Sequence, residues 1–115
     1  MNRNDLVRVR HMYDATQEAI TFAQNSTRET LSRDRLLTLA LIKSIGIIGE
    51  AAARITKESY NQYPGIPWSN IIAMRNRLIH GYFDTDLNRV WDTITDDLPR
   101  RLAVLEKILS LETDR

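Results

Sequence analysis

The sequence predicts an all-α protein, a bundle of four to five helices. Apolar residues recur at helical spacing from Leu6 to Leu109, and no stretch alternates apolar and polar residues as a strand would. Turn formers concentrate in one place, KESYNQYPGIPWSN at 57–70, and neither a repeat nor a low-complexity segment interrupts the helical pattern.

The elements follow in order. Over 4–24, Leu6, Val9, Tyr13, Ala19, Ile20 and Ala23 fall roughly on one stripe. Ser26 followed by Glu29 fits a capping box opening a short helical turn over 27–31, and Ser32 is placed to cap a long helix over 33–56. Between Leu36 and Ile48 that helix is apolar almost all round. A helix with so little polar face is buried on more than one side, so its spare side is expected to meet a second copy of the chain. Gly46 and Gly49 inside it cost roughly 1 kcal/mol each relative to alanine. Close approach of another helix is their expected return, whether from a partner or from the same core.

Pro64, Gly65 and Pro67 punctuate the next stretch, and Pro67 suits the first turn of a helix running to about His80. Gly81 is a natural left-handed residue just past its end. Asp84, Thr85 or Asp86 can cap a last helix carrying Leu87, Val90, Trp91, Ile94 and Leu98. Pro99 either kinks this helix or starts a new one, and Leu102, Leu105, Ile108 and Leu109 continue its apolar face.

At 115 residues the chain is expected to form a single domain, 1–115, with 43% hydrophobic and 27% charged residues. A net charge of +1 makes it no general glove for nucleic acid, so any such contact must come from a local basic patch. The absence of cysteine excludes disulfides and thiolate chemistry. The apolar run LLTLALIKSIGIIGEAAA is interrupted by Lys43 and Glu50, and no run of signal-peptide type opens the sequence. A soluble, cytoplasmic protein is expected. Neither a His-Glu-x-x-His motif, a phosphate-cradling glycine loop nor an acidic cluster with metal spacing is present, so no metal or cofactor is expected. Asp84, Asp86, Asp96 and Asp97 read as capping and surface residues.

The chemistry-bearing segment is RNRLIHGYFD at 75–84. Cleaving RNA through its own 2′-hydroxyl needs a base, an acid and positive charge on the developing phosphorane. Histidine titrates near neutrality, and arginine grips phosphate with a planar fork. Arg75 and His80 supply both within six residues. On a helix, residues four apart are offset by about 40° and residues five apart by about 140°, so Asn76 shares a face with His80 while Arg75 points partly sideways. One histidine is short of an acid–base pair, and a symmetric dimer would supply the second. The plain alternative is a solvated helix end. The other histidine, His11, sits on a helix of mixed polarity and reads as structural or solvated.

RNRLIHGY carries an Arg-x-x-x-x-His-x-Tyr signature, and with IIGEAA at 47–52, YPGIPWSNIIAMRNRLIHGYFDTD at 63–86 and VWDTITDDLP at 90–99 it resembles the HepT group of HEPN-domain toxins. The resemblance covers most of the chain and is weakest over residues 1–30. It implies a HEPN-type homodimer acting as a metal-independent ribonuclease on transfer or messenger RNA. Arg75 and His80 would then be the catalytic pair, with Asn76, Tyr82 and Glu50 supporting. It also implies an MNT-type nucleotidyltransferase antitoxin as partner, with Tyr82 accepting AMP. One departure is Gly46, where relatives often carry a glutamate; if that acid supports the site in relatives, Glu50 must suffice here or the site geometry differs, and the other reading of Glu50 is a buried partner of an arginine such as Arg75. Arg77 and Arg89 are the foremost candidates for RNA binding; Arg3, Arg8, Arg10, Arg100 and Arg101 could also track a backbone by charge. Tyr60, Tyr63, Trp68, Phe83 or Trp91 could stack a base, although both tryptophans sit in core-like patterns. A non-catalytic helical partner presenting a substrate to the transferase is the alternative reading.

Overall fold

The computed structural model describes residues 1–80 and 86–113, with the backbone alone at Ile79 and His80. It is helical as the sequence predicts, with no strand among the described residues. Helix α1 (Arg3–Ala23) packs on α3 (Arg35–Ala53) and α7 (Leu98–Thr113), and α3 packs on α5 (Trp68–His80). A short α2 (Thr30–Arg33) precedes α3, and α4 (Lys57–Gln62) leads towards α5. The last rod runs from α6 (Leu87–Asp92) through a π-helical turn, Thr93–Asp97, into α7. The centre is filled by side chains that exclude solvent almost completely, among them Val9, Met12, Leu41, Ile48, Leu98 and Leu105.

Local chemistry explains most boundaries and corrects several expectations. Asn2 caps α1, its side chain accepting from the Asp5 amide at 2.7 Å. The buried stripe of α1 includes Met12, Ala15 and Thr16, whereas Leu6, Tyr13 and Ile20 lie at its margin. Asn25 stands at φ 64°, a left-handed conformation asparagine tolerates, and turns the chain out of α1. The expected Ser26–Glu29 capping box does not form. Glu29 precedes α2 with helical dihedrals and no side-chain cap, while the Thr30 hydroxyl accepts from the Thr27 amide instead. Nor does Ser32 cap the long helix: its hydroxyl donates to the Glu29 carbonyl, and Asp34 takes the cap by accepting from the Leu37 amide. That helix is accordingly shorter than 33–56. By length and composition α3 is apolar enough to cross a membrane, and here it is the helix on which α1 and α5 pack.

The stretch of turn formers hides α4, because its anchor lies fifty residues away. The Asp5 carboxylate, 2% exposed, accepts from the Thr56 amide, the Thr56 hydroxyl and the Ser59 hydroxyl. Burial alone would raise its pKa, but these donors and Asn2 outweigh it and hold the carboxyl below its ordinary value. Trp68 is buried as expected and donates its indole N–H to the Tyr63 carbonyl, its ring 5.0 Å from that of Tyr60. Tyr60 also donates its hydroxyl to the Ala52 carbonyl. Tyr60 and Trp68 are thus spent on packing and are not base-stacking platforms. Trp91 is half-buried rather than fully in the core.

Asp86 is the cap of α6, accepting from the Asn88 and Arg89 amides; Asp84 and Thr85 lie outside the described residues. Pro99 accounts for the break downstream. It has no N–H for the carbonyl four residues back, and the Leu98 amide reaches Thr93 five residues back. The rod therefore restarts at Leu98 after a π turn.

Candidate functional site

Helix α5 presents two arginines two positions apart, hence about 200° apart around its axis. Arg75 turns towards α3 and Arg77 turns away from it, towards the α6–α7 rod. The two sides differ in kind.

On the α3 side, the seat of Arg75 is Gly49. A Cβ built on Gly49 would lie 2.2 Å from Arg75 Cβ and 2.8 Å from Arg75 Cγ, closer than real side chains approach. The close approach expected of this glycine is therefore made within the chain, by α5. Arg75 Nη1 donates to Asn76 Oδ1 at 3.0 Å, which places Asn76 as an orienting neighbour. Arg75 Nε is buried and has no hydrogen-bond partner among the described residues. A buried donor left unmatched costs about 1–3 kcal/mol. His80 is the last described residue of α5. Tyr82, Gly81 and Phe83 lie outside the described residues.

Glu50 is not in this arrangement. It is exposed and pairs with Arg54, Oε1 to Nη2 at 3.3 Å, on the flank of α3 that faces Arg8 and His11 of α1. The expectation that Glu50 is a buried partner of Arg75 is incorrect. It follows Gly49 directly, so it points about 100° away from the face that seats Arg75. His11 is exposed, as expected.

On the other side, α5 and the α6–α7 rod enclose a hollow of 280 Å³ floored by Ile45 and Ile48 of α3. Arg77, Arg89 and Arg101 line it together with Asn70, Thr93 and Asp97. The hollow continues past Asn70, Asp97 and Arg101 into a second, of 380 Å³, bordered by Gly65, Pro67 and Arg100. Two RNA-binding candidates of the sequence, Arg77 and Arg89, thus share one groove, whereas Arg8 lies elsewhere, beside Glu50. Arg100 donates to Asp97 Oδ1 at 3.0 Å. Burial draws the Arg101 pKa down, partly offset by the nearby Asp97 carboxylate.

The π turn shapes this wall. Arg89, Thr93, Asp97 and Arg101 stand four residues apart, and on an unbroken α-helix each step would rotate by about 40°, some 120° in all. The wider π turn between Thr93 and Asp97 removes part of that drift, so the four side chains line one groove. The spacing was visible in the sequence, but the π turn that aligns it was not.

The chain matches the family described as Ribonuclease HepT-like over residues 12–108. It is 36% identical over 95 residues to the probable ribonuclease HepT of Thermococcus cleftensis, covering 79% of this chain and 86% of that protein. A candidate RNase of Methanocaldococcus jannaschii is 32% identical over 101 residues, 85% of this chain and 84% of its own. One from Caldanaerobacter subterraneus is 31% identical over 102 residues, 89% and 91% of the two chains. No solved structure matches significantly. With the family match running from α1 to α7 and three relatives above 30% identity, the chain belongs to the HepT-like ribonuclease family.

Proposed function

We propose that this chain is the toxin of a toxin–antitoxin pair, a metal-independent endoribonuclease whose reacting groups are Arg75 and His80. The observation that carries the reading is Arg75 itself, fixed on Gly49 one helical turn from the end of α5 with a buried Nε donor unmatched among the described residues. In the reaction, the substrate's 2′-hydroxyl attacks the adjacent phosphorus while a base takes its proton. The phosphorus–5′-oxygen bond breaks, an acid protonates the departing oxygen, and a 2′,3′-cyclic phosphate remains. Arg75 holds the negative charge that builds on the phosphorane. His80 moves a proton, and a second His80 from a symmetric partner completes the acid–base pair.

The dimer this requires is supported by α3. Leu36 is 80% exposed and Ile47 37% exposed, and a Cβ at Gly46 would meet nothing within 4 Å. Tyr82 follows His80 by two residues, so AMP placed there by an MNT-type nucleotidyltransferase would set a phosphate where substrate phosphate must sit.

The test is cleavage of total transfer and messenger RNA in EDTA. Wild type is expected to cut and leave cyclic phosphate ends, while His80→Ala is expected to be inactive with its helical content unchanged. With antitoxin and ATP, wild type should be labelled and Tyr82→Phe should not. Equal cleavage by wild type and His80→Ala would overturn the catalytic assignment, and undiminished labelling of Tyr82→Phe would move the acceptor elsewhere.

A further inference from the structure

We propose that the groove between α5 and the α6–α7 rod is a subsite for the phosphodiester backbone of single-stranded RNA, with Arg77, Arg89 and Arg101 contacting its phosphates. The inference rests on the ribonuclease reading and adds to it a binding surface on the far side of α5 from Arg75.

The first argument is charge. Three arginines elsewhere on the surface are paired with carboxylates: Arg28 with Asp92, Arg54 with Glu50 and Arg100 with Asp97. The 280 Å³ hollow is lined by three arginines, Arg77, Arg89 and Arg101, and none of the three makes an ion pair among the described residues. The single carboxylate among the lining residues, Asp97, accepts from Arg100 and also acts on Arg101, one negative charge against the three lining arginines. Like charges gathered at one hollow repel unless an anion enters it. Arg101 is also partly buried, so it has given up hydration that a bound anion would replace.

The second argument is length. From Arg89 to Arg101 the rod advances twelve residues, about 18 Å, which exceeds the reach of one phosphate group. A row of that extent fits a polyanion laid along it, and the π turn is what keeps the row on one face. No aromatic side chain lines either hollow among the described residues, so the contacts are to backbone and not to bases. The third argument is placement. Arg77 precedes His80 by three residues, about 4.5 Å along the axis of α5. A strand held in the groove therefore passes the helix end that carries the Arg–His signature.

The experiment measures affinity of a fluorescein-labelled single-stranded RNA for the full-length His80→Ala protein across a salt series. Each phosphate contact on a single strand contributes about 0.7 to the slope of log K against log salt. Arg77→Ala/Arg89→Ala is expected to lower the slope by about 1.4, and Arg101→Met, which keeps the buried stem, by about 0.7. Arg77→Lys/Arg89→Lys keeps the charges and should keep the slope. A parent that binds RNA with the same slope in every variant overturns the subsite and leaves the ribonuclease reading standing. A parent that binds no RNA at any salt concentration overturns both.

Discussion

The two sides of α5 hold arginine in opposite ways. Arg75 lies against the backbone of α3, in a place that exists only because Gly49 has no side chain. Arg77 reaches into an open hollow shared with two further arginines. Close packing fixes an atom's position and suits a group that must meet a transition state. Loose convergence of charge suits a surface that must hold a polyanion in many registers. A single helix thus separates geometry from attraction by a rotation of about 200°.

Substitution of the two arginines should expose that difference most strongly. On the proposed mechanism, Arg75→Ala is expected to lower kcat by about 10²–10³-fold, the scale of losing one group that stabilises charge in the transition state. Arg77→Ala is expected to raise KM for long RNA about tenfold and to flatten its salt dependence. Steady-state cleavage at low and moderate salt measures both. If each variant changed the same parameter by the same factor, the two sides would not be functionally distinct.

The next effect comes through Gly49, which is buried against α5. An alanine Cβ there would collide with Arg75 Cβ, so α5 must move outward or the arginine must leave its seat. Overpacking of this kind costs about 1–3 kcal/mol. The melting temperature of Gly49→Ala should fall by several degrees, and at a temperature well below its melt kcat should fall further than KM rises. Unchanged stability and kcat would show that Arg75 needs no such seat.

How much of this was legible follows from where each determinant lies in the chain. The helices could be read because their apolar spacing is local, and α5 ends at His80 as the sequence suggested. The α4 turn could not, since Asp5 holds its start from fifty residues away. Arg75, Asn76 and Arg77 were legible as residue types, but which way each faces depends on α3 and the last rod. Glu50 was misassigned as a buried partner of Arg75 for the same reason: it is exposed, and Arg54 one turn later is its partner. The groove wall was half legible, the four-residue spacing of Arg89, Thr93, Asp97 and Arg101 plain and the π turn that aligns them hidden before Pro99.

Gly46 sharpens the comparison last, by the smallest change. It stands three residues before Gly49 on the same helix, yet a Cβ at this position would meet nothing within 4 Å. Inside an α-helix a glycine costs about 0.8–1.0 kcal/mol relative to alanine, and no contact among the described residues requires it here. A second copy approaching α3 closely is the physical return that would offset that cost. On this account Gly46→Ala should strengthen the helix yet weaken the dimer. Its dissociation constant, measured by sedimentation, should rise by about tenfold, equivalent to about 1.4 kcal/mol. Stabilisation without any change in dissociation would place Gly46 outside the interface, leaving its cost unmatched and Leu36 and Ile47 to be covered by some other surface.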